Sequence, residues 1–211
     1  MNNLFNNKRK NIIAIIFTAF YIIMLILNFN FRLPLFQNFR YVIKSLFVYL
    51  TPMIAPVFIL VLIFTYKKEY KVKTWLLPIA FCANLILSLL TQISNIANIK
   101  LILSAPDYLP IFLCSFLICV AFVLMFLGTL FDLKYIKLLK HGALGHAILS
   151  VCSAIIDFIN VGGFAYIQSV PAQYSAVNIF ALIQLVSCAL FYIGIFILTS
   201  EKKLKFSGAK V

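Results

Sequence analysis

Residues 57–64 read VFILVLIF, large apolar side chains in an unbroken run with no alternation of polarity. A strand of a membrane barrel alternates apolar and polar positions at a period of two, and this run does not. Backbone groups inside lipid must be satisfied within their own segment, so an all-apolar run of this kind is read as helix. It sits inside a longer stretch, 41–66, and about 20 residues of helix cross a hydrocarbon core about 30 Å thick. Stretches of the same character occupy 12–29, 74–99, 108–131, 143–166 and 176–199. The sequence therefore predicts an all-α, polytopic membrane protein: six transmembrane helices forming a single domain over 1–211.

Composition points the same way. Of the 211 residues, 64% are hydrophobic and 11% are charged, whereas soluble domains carry about 25% charge and 45–50% apolar residues. A domain this small exposes too much of its surface to hide that apolar excess in a core. Soluble globular and disordered chains are both excluded.

The net charge of +13 raises the question of nucleic acid, and its placement answers it. Basic residues gather in the N-terminal tail (Lys8, Arg9, Lys10), between the second and third spans (Lys67, Lys68, Lys71, Lys73), between the fourth and fifth (Lys134, Lys137, Lys140) and in the C-terminal tail (Lys202, Lys203, Lys205, Lys210). The opposite side has only Arg32, Arg40, Lys44 and Lys100. That asymmetry over short loops is a positive-inside signal, which predicts both termini in the cytoplasm of a multi-pass protein of the cell membrane. Anionic headgroups of the lipid bilayer account for the charge, and no nucleic-acid partner is expected. The KRK at 8–10 followed by an apolar run resembles a signal peptide, but no small-x-small site follows it, so the segment is read as a retained first helix.

Several features punctuate the spans. Pro52 and Pro56 fall inside the second, where each removes a helical hydrogen bond and favours a kink. Lys134, Lys137 and Lys140 recur at i, i+3, i+6 beside Leu133, Ile136 and Leu139, the pattern of a short basic helix lying on inner headgroups. The cysteines, Cys82, Cys114, Cys119, Cys152 and Cys188, all fall in spans without CxxC or Cys/His spacing, so no disulfide framework, metal site or cofactor is implied. Walker, GxSxG and HExxH motifs are missing. An intramembrane enzyme with Asp157 as acid or base would need a second catalytic group within hydrogen-bond reach, of which the sequence shows no convincing one.

Polar residues mark the candidate site. His146, Ser150, Ser153, Asp157 and Asn160 recur at spacings of 4, 3, 4, 3, and so do Asn84, Ser88, Thr91, Asn95 and Asn98. Each set draws one stripe down a helical face, and the two segments resemble a weak internal repeat. Hydrogen-bond glue between helices explains the Ser and Thr positions. Asp157 is different, because an acid within a span is expensive and marks a functional site by default. Counted from residue 143, it lies about 21 Å along the helix, and a helix that begins earlier, at Leu138 for example, moves it outward. Lys44 is the charged neighbour expected for it, and a purely structural Lys44–Asp157 pair is the alternative to a ligand role. Polarity is also lopsided. The halves away from the termini hold Lys44, Tyr49, Gln92, Asn95, Asp157, Asn160, Asn178 and Gln184, while the halves beside the termini are nearly pure hydrocarbon.

These observations predict an outward-facing polar cavity, closed toward the cytoplasm and bounded by the third, fifth and sixth spans. Its candidate ligand-binding residues are Asp157, Asn160, Asn95, Gln92, Gln184 and Lys44. In size, span number and placement of termini the chain resembles the substrate-capture component of an energy-coupling factor transporter, with Ala14 and Ala19 only approximating that family's small-residue contact motif. The resemblance implies a small-molecule solute and membrane or cytoplasmic partner subunits that supply energy. A different reading of the same residues is a non-transporting membrane partner, such as an immunity, assembly or regulatory subunit.

Overall fold

The structure, a computed structural model, describes residues 7–32, 39–66, 76–104, 108–130, 136–160, 163 and 172–200. Within its helices, the side chains of 31, 39–49, 65–66, 101 and 172–176 lie outside the description. Among the described residues seven helices follow one another: α1 (Lys8–Arg32), α2 (Phe39–Tyr66), α3 (Leu76–Ala97), α4 (Ile99–Ser104), α5 (Tyr108–Leu130), α6 (Ile136–Asn160) and α7 (Ala172–Thr199).

Among the described residues, five apolar segments are long enough to cross a membrane: Lys8–Asn30, Leu76–Ala97, Tyr108–Leu130, Ile136–Asn160 and Val177–Thr199. These mark a membrane-embedded protein. The 28-residue α2 contains a shorter apolar stretch, Leu50–Phe64, and continues through Pro52 and Pro56.

Local chemistry explains the helix ends. Asn7 caps α1, its Oδ1 accepting the backbone N–H groups of Arg9 at 3.1 Å and Lys10 at 3.3 Å, donors that would otherwise be orphaned. At the other end of the chain, Ser200 Oγ donates to Phe196 O at 2.7 Å, and Lys10 Nζ donates to Ser200 O. The start of α1 and the finish of α7 therefore meet at one end of the molecule, the near end. Helix α3 stops at Ala97, and a turn at Asn98 leads into α4. The basic segment expected to lie flat on the headgroups is in fact the beginning of α6, from Ile136 onward, while Lys134 lies outside the described residues. Nothing interrupts the helix between Lys137 and the apolar run, so periodicity that reads as a separate element is one continuous helix. This earlier start carries Asp157 about 30 Å along α6 and into its last turn.

The long helices close a ring. Helix α1 packs on α2 and α7, α2 on α3, α3 on α5, α5 on α6, and α6 on α7. Among the described residues, α3 and α6 share no extended contact, because α5 lies between them. The closest seam is between α5 and α6. A Cβ on Gly128 would lie 2.4 Å from the Leu139 backbone nitrogen, and one on Gly142 would lie 2.8 Å from the Ala121 carbonyl oxygen.

Burial is uneven along the ring. The core comes from 14–25 of α1, 55–63 of α2, 77–81 of α3, 122–125 of α5, 139–147 of α6 and 189–198 of α7. Helices leaving the near end contribute their earlier residues and returning helices their later ones, so the near half is closed and solidly apolar. Toward the far end the outer surface is lipid-like: Leu89, Leu90, Ile93 and Ile96 of α3 and Leu113, Phe116 and Leu117 of α5 are exposed. In water a belt of this kind would drive association; in lipid it needs no partner. Three polar side chains buried in the closed half donate within their own helices, Thr18 Oγ1 to Ala14 O at 2.6 Å, Asn84 Nδ2 to Ala80 O at 2.9 Å and Thr199 Oγ1 to Ile195 O at 2.9 Å.

Candidate functional site at the far end

A cavity of about 270 Å³ opens at the far end between α1, α6 and α7. Arg32 enters it from the last turn of α1, and Asp157, Phe158 and Asn160 from the end of α6. Asn178, Ala181, Leu182 and Leu185 come from the first half of α7. Charged and amide groups crown an apolar α7 wall, the composition expected of a small-molecule site.

The charges are set by the helices that carry them. Arg32, in the last turn of α1, complements the exposed carbonyls there. Its Nε donates to Asn28 Oδ1 at 3.2 Å, and Asn28 Nδ2 donates in turn to Gln184 Oε1 of α7. Asn28 is only 2% exposed, so this chain is the buried support that holds the guanidinium at the rim. Asp157 has the opposite relation to its helix. It stands in the last turn of α6, where the carbonyl end already repels negative charge. Local helix energetics do not favour an acid there. Among the described residues no ion pair spans the cavity from Arg32 to Asp157; the one described hydrogen bond of Arg32 runs back to its own helix.

The residues picked out by sequence divide into groups. Asp157 and Asn160 line the cavity, and Gln184 lies beside it as the far end of the Arg32 support. Gln92 is elsewhere: buried on α3, it donates from Nε2 to Ser115 Oγ of α5, leaving its Oε1 buried without a partner. Asn95 is half-buried on the same helix. The Lys44 side chain lies outside the described residues, and its helix packs on α1 and α3. The cavity is thus bounded by α1, α6 and α7, and the third span expected at its border, α3, is separated from α6 by α5. Arg32 and its support Asn28 are site residues that the sequence reading misses. Their signal is the NFNFR of 28–32, which sets an amide and a guanidinium one turn apart.

A second polar group lies in the closed half. The His146 ring stacks on Tyr192 with centroids 3.8 Å apart and meets the Phe122 ring edge-on at 4.8 Å, and its Nδ1 is 3.1 Å from Ser150 Oγ. Ser150 also reaches Cys188 Sγ at 3.8 Å. This is a packed histidine in an aromatic cage. Among the described residues no three His, Cys, Asp or Glu side chains gather as a metal site.

The chain matches no family model, no curated protein and no solved structure.

Proposed function

We propose that the chain is a six-span protein of the cell membrane, with both ends cytoplasmic, whose far-end cavity opens outward and binds a small solute as the membrane component of a transporter. One observation carries the reading: Arg32 and Asp157 share a cavity that ends above an apolar, closed half-bundle. Two opposite charges half-withdrawn from water, with no ion pair between them among the described residues, are costly for a fold alone, and a polar solute would offer a counter-charge to each. The basic residues beside the termini support the orientation, and the length of α2 supports a sixth span.

Native mass spectrometry of the gently purified full chain tests it. The expected spectrum shows a small molecule retained by the wild type and lost from a folded Arg32→Gln, Asp157→Asn double variant. A wild type that carries only lipid, matched by that variant, would overturn the solute reading.

A further inference from the structure

The charges at the cavity define a ligand class more narrowly than "small solute". Resting on the reading of this cavity as a solute site, we infer that the solute is a zwitterion of amino-acid type, whose carboxylate meets Arg32 and whose ammonium meets Asp157. Three observations converge on this.

First, the two charges enter from different helices, α1 and α6, and no ion pair joins them across the space among the described residues. A monovalent anion would satisfy Arg32 and leave Asp157 facing it with like charge; a monovalent cation would do the reverse. Of the three, a ligand carrying both signs is the one that offers a counter-charge to both described walls. Second, the electrostatics around each are matched to that orientation. Asp157 sits among the terminal carbonyls of α6, which add negative potential and favour an ammonium. The guanidinium of Arg32 is held from behind through Nε by Asn28, so its outer edge is left to engage a carboxylate, for which its planar fork is suited. Third, the remaining wall is apolar and short. Ala181, Leu182 and Leu185 supply a face for a modest aliphatic or aromatic side chain. A volume of about 270 Å³ lies just under the 300–1,000 Å³ range of sites for drug-sized ligands.

Matched triplets test the class with the full chain in lipid nanodiscs, by calorimetry or thermal shift. One triplet is leucine, 3-methylbutylamine and 4-methylpentanoate; a second is phenylalanine with its decarboxylated and deaminated counterparts. The expected result is binding of at least one zwitterion, with each singly charged analogue at least tenfold weaker, since a lost charge-assisted contact is worth about that factor or more. Arg32→Gln should bring zwitterion and amine to equal affinity, and Asp157→Asn should bring zwitterion and acid to equal affinity. Amine or acid binding as tightly as its zwitterion would overturn the class while leaving the cavity as a solute site. The same holds if native mass spectrometry finds a retained molecule without both charges. Failure of every triplet together with an empty native spectrum would overturn the inference and the solute reading alike.

Discussion

At the scale of single residues, burial without water makes each polar contact measurable. Asn28 holds Arg32 and Gln184 at once, so Asn28→Ala should lower stability by about 1 kcal/mol, in line with hydrogen bonds inside membranes. Adding Gln184→Leu should cost little more, because its partner is already gone; a double-mutant cycle on thermal unfolding reads the coupling. Gln92 offers the reverse experiment. Ser115→Ala alone strands a buried amide and should destabilise by about 1–2 kcal/mol, whereas Gln92→Leu with Ser115→Ala should recover most of the loss. A double variant weaker than the single would show that the amide has another essential contact. Residues also show how far the site was legible. Asp157 stands out in the sequence because an acid in an apolar segment is costly and calls for either an ion-pair partner such as Lys44 or a ligand. Arg32 does not, because a basic residue at the end of a span is what snorkelling and orientation already require. Only the geometry that brings α1 against α7, beside the end of α6, turns it from an anchor into a wall of the cavity.

Among the helices, the seam between α5 and α6 is the most constrained. Even one methyl on Gly128 meets backbone of the opposing helix, which has no flexible tip to yield. Gly128→Val should therefore cost about 3 kcal/mol or prevent folding, toward the upper end of overpacking penalties. Gly145→Ala is the control, because an added Cβ there would have nothing within 4 Å. It should be neutral or stabilising by up to about 1 kcal/mol through helix propensity. Melting curves of detergent-solubilised protein separate the two. The presence and type of the six long helices were written in the sequence as long apolar runs, and the prolines of α2 did not change that, whereas the six-residue α4 falls where the sequence suggested a loop. Their ends were harder. Lys137 and Lys140 lie in the first turns of α6, where the sequence leaves open whether the charged amphipathic stretch is a separate element or runs straight into the apolar one. Pairing was illegible for a related reason: two polar stripes with equal spacing turn inward toward each other or toward water, and spacing alone does not show that ring order puts α5 between α3 and α6.

For the whole molecule, both described chain ends lie at one end of the bundle, tied by Lys10 and Ser200. In a background lacking native cysteines, cysteine at Asn7 and cysteine at Ser104 should react with an impermeant maleimide from opposite faces of the membrane. Labelling of both from one face would contradict the proposed topology. The uneven burial has a further consequence, which concerns permeation. Below the cavity floor, Leu25, Leu62, Phe81, Met125, Leu139 and Phe191 are buried, one from each long helix of the ring, and Thr18, Asn84 and Thr199 in the same half are already engaged with their own backbones. A charged solute descending past Asp157 would leave its counter-charges for a medium of low permittivity, at an idealised cost of order 20 kcal/mol per ion. The closed half is thus an electrical seal. Planar bilayers containing this chain alone should show no ionic current, and passage of a bound solute would need the ring of long helices itself to part.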